Sequence, residues 1–417
     1  MVKNIVITGG GTGGHIFPAI AVADEFIKSG HDVVFLGGGE KIERDAVSGK
    51  DFNYQTIKMN GFRGKNTVLK IKSLILIPLG IISVINLIRK EKIDAMIGFG
   101  GFITVPPAIA FKIMMKPIFT HEQNSIQGSA NKMLSKHSTF NFLGFPIKNN
   151  LKNNIFSGNP IRNVFSKKPA QDINSSNDIN IYVTGGSQGA EYLNKNLPIV
   201  FGQINCKINI KHQCGVGKLS DVKTLYLEAN IDAEVQEFYK NPQSLIEWSD
   251  FVITRSGALS ISEISSMGRG MVMIPLPSSI DNHQFYNAKY IENIGMGIVH
   301  SQENGLSDLE IKLSQVIDKK IYSLPEFLLK NLTEICAHNN SLGRNSIMIT
   351  KAVYLDEPMN RDISEDHLVQ IRFIRLIEEL GDINFPETAR RIGGFGITVK
   401  NVTITMMPDP KRLMDQR

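Results

Sequence analysis

Short apolar runs alternate with helical patterns of hydrophobic residues through both halves of the chain. In the first half the runs predict β-strands at residues 3–8, 32–36, 93–98, 117–121 and about 138–142. In the second half they predict strands at residues 181–184, 208–213, 233–238, 251–254 and 271–274. Helical patterns separate these strands, which is typical of an α/β protein whose parallel sheet is covered by helices on both faces.

The two halves of the chain open on the same pattern. Residues 181–190 align with residues 5–14 at an offset of 176, and a helical pattern follows each stretch. A polar segment at 167–180, rich in asparagine and serine, is typical of an interdomain linker or a long loop. We therefore predict two Rossmann-like domains facing a cleft, at 1–165 and 166–340. A closing helix at 341–355 and a small C-terminal extension of unknown role at 356–417 would follow.

The first repeat ends in a loop, residues 9–14, that contains five glycines. Glycines allow positive φ and a close approach of the backbone to a ligand, and the following helix offers N-terminal amides to an anion. The loop therefore predicts a phosphate or pyrophosphate site, with a structural turn as the alternative. Gly9, Gly11 and Gly14 also fit a dinucleotide fingerprint, but the second strand ends in Gly37 instead of the carboxylate that would bind a ribose. The absence of a carboxylate at the end of this strand argues against NAD binding.

Composition narrows the class of protein. The 417 residues carry 46 basic and 40 acidic side chains, a net charge of +6 that is too small to indicate nucleic-acid binding. The three cysteines, Cys206, Cys214 and Cys336, form no C-x-x-C pair, which argues against a zinc site or a disulfide framework. No signal peptide is visible, so we expect a reducing, cytoplasmic setting.

An uncharged segment at residues 73–88 has basic residues on both sides. Its 16 positions fall short of the about 20 that a membrane-spanning helix needs. Lys65, Lys70 and Lys72 precede it, and Arg89 and Lys90 follow it. It is either a helix that dips into a membrane interface or a buried crossover helix of the sheet.

Polar clusters follow several predicted strands, where parallel sheets bind ligands. They lie at residues 121–124, 158–162, 255–263 and 281–288. Glu263 falls in the first turns of a helix, from which its carboxylate can accept hydrogen bonds from both hydroxyls of a ribose. The alternative for Glu263 is a residue that stabilises the helix terminus.

Five of these motifs, at residues 10–18, 121–124, 159–162, 185–190 and 255–258, together resemble the bacterial MurG family over about residues 1–355. The resemblance implies two domains of the glycosyltransferase B type. It implies transfer of N-acetylglucosamine from UDP-GlcNAc to the muramoyl 4-hydroxyl of undecaprenyl-pyrophosphoryl-MurNAc-pentapeptide, which forms lipid II for peptidoglycan. It also implies a peripheral enzyme at the cytoplasmic face of the bacterial inner membrane, with cell-wall synthesis proteins as further partners and no nucleic acid.

The resemblance also assigns site residues. Thr12, Gly13 and Gly14 would lie beside the donor's sugar-phosphate or the acceptor's pyrophosphate. Asn124 would bind the N-acetylglucosamine, Arg162 and Ser187 the phosphates, the backbone of Tyr239 the uracil, and Gln284 the sugar hydroxyls. The nucleoside pocket would be formed by Ala258, Leu259, Ser260, Ile261, Ser262 and Glu263.

The chemistry of the reaction suggests two candidates for the base that deprotonates the acceptor. His15 is our candidate and Glu122 its rival. The chain contains no Asp-x-Asp motif, so we expect no metal and no cofactor. Inversion at the anomeric carbon is implied by the resemblance. Two other functions stay open: a UDP-GlcNAc 2-epimerase, and a non-catalytic protein that binds nucleotide sugars.

Overall fold

The two halves of the chain form two separate parallel sheets in the computed structural model. The structure describes residues 3–57, 67–147, 151, 153–165, 178–318, 397–399 and 402–404. Within these ranges both large sheets are parallel throughout and carry helices between their strands. The predicted α/β architecture is thereby confirmed.

The first sheet has the strand order β3-β2-β1-β4-β5-β6-β7. Its strands are β1 (Asn4–Thr8), β2 (Asp32–Gly37), β3 (Asn53–Thr56), β4 (Ala95–Gly98), β5 (Ile118–Glu122), β6 (Phe140–Leu143) and β7 (Asn154–Phe156). Its helices are α1 (Gly13–Lys28), α2 (Lys41–Val47), α3 (Thr67–Lys90), α4 (Val105–Ile113) and α5 (Ser129–Leu134). The pattern did not predict β3 and β7, because these edge strands are short, only partly buried and without a continuous apolar run.

The second sheet has the strand order β10-β9-β8-β11-β12-β13. Its strands are β8 (Ile179–Thr184), β9 (Ile208–Gln213), β10 (Ala233–Gln236), β11 (Phe251–Thr254), β12 (Gly270–Met273) and β13 (Gly297–Val299). Its helices are α6 (Glu191–Phe201), α7 (Leu219–Glu228), α8 (Pro242–Trp248), α9 (Ala258–Ser266), α10 (His283–Asn293) and α11 (Gly305–Asp318). Only the three-residue edge strand β13 lies outside the predicted runs.

Each sheet is buried on both faces, as the continuous apolar strands require. In β1, Ile5 and Ile7 pack against α1 on one face, whereas Val6 packs with residues of α3 and α4 on the other. The second sheet repeats this division, since Val183 and Tyr182 of β8 belong to different hydrophobic clusters. Both sheets reverse their strand order beside the first strand, at β1/β4 and at β8/β11, which is where such sheets bind ligands.

The segment after β7 crosses to the second sheet. Phe145, Ile161 and Phe165 are buried in the same hydrophobic cluster as Tyr182 and Ile261. The phenyl ring of Phe145 also meets Tyr290 of α10 edge to face, with ring centroids 5.4 Å apart. Apolar residues that precede the predicted domain boundary at 165 thus hold the two halves of the molecule together.

The uncharged segment at 73–88 lies within α3. Val84 and Ile88 are buried against the sheet, whereas Leu79 and Ile82 are exposed on the opposite side. Among the helices that the structure describes, none combines the length and the apolar character that crossing a bilayer requires.

The C-terminal extension contributes two short strands to the described residues. Residues 397–406 alternate like one strand in the sequence, but the structure has β14 (Ile397–Val399) and β15 (Val402–Ile404), paired antiparallel. Pairing satisfies backbone groups that a single isolated strand would leave without partners. The predicted closing helix at 341–355 lies outside the described residues.

Candidate active site

The glycine-rich loop between β1 and α1 packs against a second glycine-rich loop that follows β4. A Cβ atom on Gly101 would lie 2.4 Å from the carbonyl oxygen of Gly10, so only glycine fits this approach. Thr12 precedes α1 as its N-cap residue, and its carbonyl accepts the amides of His15 and Ile16. The amides of Gly13 and Gly14 belong to the first turn and have no carbonyl partner within the helix, as an anion site at a helix N-terminus needs.

His15 stands in the first turn of α1 with its ring held against both loops. Its Nδ1 lies 2.9 Å from the carbonyl oxygen of Gly10, which can only accept, so Nδ1 carries the proton of a neutral ring. Nε2 is then the basic nitrogen. A Cβ on Gly100 would come within 3.1 Å of Nε2, so the absence of a side chain at Gly100 leaves room for the ring.

Glu122, at the end of β5, organises the loop that follows it. Oε1 accepts the backbone amide of Asn124 at 3.1 Å and its side-chain amide at 3.4 Å. Oε2 accepts from the backbone amide of Gly128 and from Nδ2 of Asn131, both at 2.9 Å. A carboxylate with about four acceptor positions is fully used by these donors. The geometry therefore favours a structural task for Glu122 and leaves His15 as the stronger candidate base.

An ion pair joins the segment after β7 to α9. Nε of Arg162 lies 2.8 Å from Oε1 of Glu263, and Nη2 lies 3.0 Å from Oε2. The Arg162 guanidinium also rests on the ring of Phe165, 4.7 Å from its centroid, and lies 6.0 Å from that of Phe17 on α1. Burial raises the pKa of Glu263, and the arginine acts in the opposite direction. Because α1 and α9 are in contact here, the two halves of the predicted site meet.

The corresponding loop of the second sheet, between β8 and α6, repeats the close packing of backbones. A Cβ on Gly189 would lie 1.8 Å from the carbonyl oxygen of Cys214, and Gly189 has a φ of +67°. Gln213 donates to the carbonyl of Gly186 at 2.8 Å and so fixes the turn. Ser187 is exposed at the tip of this turn, where its hydroxyl can reach a ligand.

Only some of the α9 residues predicted to form the nucleoside pocket can contribute to it through their side chains. Ala258 and Ile261 face the hydrophobic core. The first intrahelical bond runs from the amide of Ile261 to Gly257, so the amides of the first turn remain available to an anion or a sugar. Ser262 accepts a hydrogen bond from Asn159 at 3.1 Å, across the two halves of the site. Among the described residues, no three His, Cys, Asp or Glu side chains converge to hold a metal ion.

Comparison with known proteins identifies the family to which this chain belongs. The glycosyltransferase family 28 N-terminal domain matches residues 5–140, and the family 28 C-terminal domain matches residues 180–333. A relative from Haemophilus influenzae (strain PittEE) is 36% identical over 307 residues, which cover 72% of this chain and 86% of that protein. It is named UDP-N-acetylglucosamine--N-acetylmuramyl-(pentapeptide) pyrophosphoryl-undecaprenol N-acetylglucosamine transferase. The chain belongs to glycosyltransferase family 28.

Other members and neighbours of family 28 agree with this assignment. The enzyme of the same name from Wigglesworthia glossinidia brevipalpis is 36% identical over 79% of this chain and 92% of its own length. The crystal structure of Acinetobacter baumannii MurG covers 76% of this chain and 91% of its own, at 29% identity and a TM-score of 0.66. The glycotransferase of kitacinnamycin, 13% identical with a TM-score of 0.57, shares the fold alone. The resemblance to MurG and the glycosyltransferase B-type fold are confirmed.

Two of the predicted family 28 donor contacts already have protein partners. The backbone amide of Tyr239 donates to Gln213 at 3.0 Å, so its carbonyl is the group left for uracil. Oε1 of Gln284 accepts the amide of Leu276 at 3.0 Å, which leaves its amide nitrogen to donate to a sugar hydroxyl. Both assignments stay predictions.

Sequence reasoning missed the residues that tie the two halves of this family 28 site together. Asn159 donates to the carbonyl of Gln123 at 3.0 Å as well as to Ser262. Asn287, on α10, contacts Asn124 and Ser125. Both asparagines stand in polar stretches that the sequence singles out, but nothing in their spacing shows which other loop they contact.

Proposed function

We propose that this family 28 enzyme transfers N-acetylglucosamine from UDP-GlcNAc to the muramoyl 4-hydroxyl of undecaprenyl-pyrophosphoryl-MurNAc-pentapeptide and so forms lipid II. The observation that carries the proposal is the contact of α1 with α9. It brings the His15 loop of one sheet to the Arg162–Glu263 pair beside the other. The relatives named above carry the same reaction in their names.

In the proposed reaction His15 acts as the base. Nε2 accepts the proton of the muramoyl 4-hydroxyl as its oxygen forms a bond to the anomeric carbon. The bond from that carbon to the UDP oxygen breaks, and UDP leaves as an anion, with inversion. The Arg162 guanidinium and the amides at the start of α9 stabilise the charge of the leaving group. Glu263 binds the ribose, and Asn124 and Gln284 bind the transferred sugar.

The acceptor would be delivered from a membrane surface. Helix α3 exposes Leu79 and Ile82, Ile113 is exposed at the end of α4, and Met115, just after α4, is 92% exposed. We call these four residues the apolar face of α3 and α4. Exposed cations lie on the same two helices at Arg89, Lys90 and Lys112. Helix α4 begins next to the glycine loop that borders His15, so one element connects this face to the site. Apolar and basic groups together suit a peripheral contact with anionic lipid.

From this surface together with the resemblance to MurG, we propose that the enzyme acts at the cytoplasmic face of the bacterial inner membrane. Its product would supply peptidoglycan synthesis and thereby cell shape and cell division. Other cell-wall synthesis proteins are the partners that such a position brings near. The proposal involves no nucleic acid.

Transfer of radiolabelled sugar tests the reaction. The purified chain is incubated with UDP-[¹⁴C]GlcNAc and a lipid-linked muramoyl-pentapeptide, and both lipid-linked label and free N-acetylmannosamine are measured. We expect label in the lipid product, and His15→Ala to lower turnover about 100-fold with UDP affinity unchanged. Release of N-acetylmannosamine would identify an epimerase instead. Binding of UDP-GlcNAc with neither product would leave a nucleotide-sugar-binding protein.

A further inference from the structure

Asn287 connects the second half of the molecule to the loop that follows β5. It is fully buried on α10. Its Oδ1 accepts from the backbone amide of Ser125 at 2.8 Å and from the Ser125 hydroxyl at 2.9 Å. Its Nδ2 donates to Oδ1 of Asn124 at 3.1 Å and to the carbonyl of Ser256 at 3.3 Å. An asparagine amide offers two donors and two acceptor lone pairs, so every bonding position is used.

These bonds fix the direction of the Asn124 side chain. Oδ1 of Asn124 points to Asn287, and Nδ2 points to the carboxylate of Glu122. If the Asn124 amide turned over, both contacts would become unfavourable. Its Nδ2 would then face the Nδ2 donor of Asn287, and its Oδ1 would face the carboxylate of Glu122. One Nδ2 proton and one Oδ1 lone pair of Asn124 remain for a ligand, in directions that the two neighbours set.

Asn287 also connects Asn124 to the nucleoside side of the site. The carbonyl of Ser256, its fourth partner, lies two residues before α9, the helix that carries Glu263. A single side chain therefore holds the loop assigned to the donor sugar at a set distance from the helix assigned to the ribose.

We propose that Asn287 is a positioning residue for the donor: it orients the Asn124 amide toward the N-acetylglucosamine while that sugar's nucleotide is held by α9. The inference rests on the proposed function, because it takes Asn124 as the sugar contact. It predicts that loss of Asn287 impairs recognition of the sugar and spares recognition of UDP.

The chain offers two informative variants and a matched control. Asn287→Asp keeps both bonds from Ser125 but places a carboxylate oxygen against the side-chain carbonyl of Asn124 and the backbone carbonyl of Ser256. The Asn124 amide must therefore turn, and the bond to Ser256 is lost. Asn287→Ala removes all four bonds. Ser125→Ala is the control, because it removes one bond between the same loop and α10 and leaves the Asn287–Asn124 contact in place.

Calorimetric titration of each full-length variant with UDP-GlcNAc and with UDP is the test. We expect Asn287→Asp and Asn287→Ala to weaken UDP-GlcNAc binding about tenfold, with UDP affinity unchanged within about twofold. Ser125→Ala should leave both affinities at their wild-type values. If Asn287→Ala does not fold, Asn287→Asp decides the question alone.

Two results would overturn the inference. One is an equal loss of UDP and UDP-GlcNAc affinity in Asn287→Asp, which would indicate a general disturbance of the fold. The other is wild-type binding of both ligands by that variant. Failure of the proposed function would look different, because the wild-type chain itself would then fail to bind UDP-GlcNAc or to transfer its sugar to the lipid acceptor.

Discussion

Arg162 and Glu263 form a bidentate ion pair between the segment after β7 and helix α9, with nitrogen–oxygen distances of 2.8 and 3.0 Å. Sequence reasoning assigns them to different parts of the donor, the phosphates and the ribose. The structure makes them direct partners, so a donor that engages either one must share it with the other. The guanidinium has five donors and the carboxylate about four acceptor positions, which allows both to bind a ligand without separating.

The burial of the two partners is unequal, and this predicts unequal effects of removing them. The side chain of Glu263 is 11% exposed and that of Arg162 is 44% exposed. Arg162→Ala leaves a buried carboxylate without its cation, whereas Glu263→Ala leaves an arginine that can reach water. We expect Arg162→Ala to lower the free energy of unfolding by about 1–3 kcal/mol more than Glu263→Ala does. Urea denaturation measures the difference.

The exposed pair Lys195–Glu191 is the control for this asymmetry. Both of its side chains are more than half exposed, so Lys195→Ala and Glu191→Ala should have equally small effects. Equal destabilisation by Arg162→Ala and Glu263→Ala would contradict the prediction. Independently, Glu263→Ala should weaken UDP binding, and wild-type affinity in calorimetry would refute the ribose assignment.

Gly100 is expected to control the position of His15. It has a φ of +101°, and a Cβ there would lie 3.1 Å from His15 Nε2. Gly100→Ala should displace the ring and lower turnover at least about tenfold while UDP affinity is kept. Steady-state kinetics with the lipid acceptor measure this effect.

Gly30→Ala is the matched control for the backbone strain of that substitution. Gly30 has a φ of +84°, but no atom lies within 4 Å of the position its Cβ would take. Both alanines strain the backbone, and only the one at position 100 meets His15. Equal turnover in the two variants would show that Gly100 does not act on His15.

The apolar face of α3 and α4 predicts binding to lipid. The double variant Leu79→Glu with Ile82→Glu places two charges on this face. It should weaken binding to vesicles that contain anionic phospholipid at least tenfold, which corresponds to a loss of binding free energy of about 1.4 kcal/mol or more. Vesicle sedimentation measures the bound fraction. Leu227→Glu on α7 is the control, because Leu227 is also exposed but belongs to the second sheet's helices. Undiminished vesicle binding by the double variant would rule out this face as the contact.

The burial of His121 predicts that the protein loses stability in mild acid. Burial lowers its pKa from 6.5 to about 4, while its ring bonds to the carbonyl of Gly158 and to Gln123. Between pH 6.5 and about 4 the unfolded chain therefore binds a proton that the folded chain does not. The contribution of neutral His121 to the free energy of unfolding is fully present above pH 6.5 and is lost as the pH falls to about 4. The loss amounts to up to ~3 kcal/mol.

The free energy of unfolding, measured by urea titration at several pH values, tests this dependence. His121→Gln should lower the slope of the curve between pH 6.5 and 4, and the buried His212, whose pKa burial lowers to about 3, contributes to the slope that remains. An identical slope in His121→Gln and the wild type would exclude His121 as a source of the acid sensitivity.

Most of the fold could be predicted from the sequence because it depends on local patterns. Apolar runs such as residues 251–254 match β11 at both ends, and the repeated strand–glycine–helix opening predicts both sheets. The edge strands β3 and β7 escaped prediction, since their hydrogen bonds to a neighbouring strand define them more than their own residues do.

The sequence by itself determined the two-domain α/β architecture, and its five motifs carried the resemblance to the family. Periodicity and glycine spacing are local properties, and local properties are sufficient to predict the architecture. Only the tertiary structure decided which side chains meet. Arg162 and Glu263 are 101 residues apart, and Asn124 and Asn287 are 163 apart. Their contacts depend on how the two sheets approach each other, and that relation has no signature in the spacing of residues along the chain.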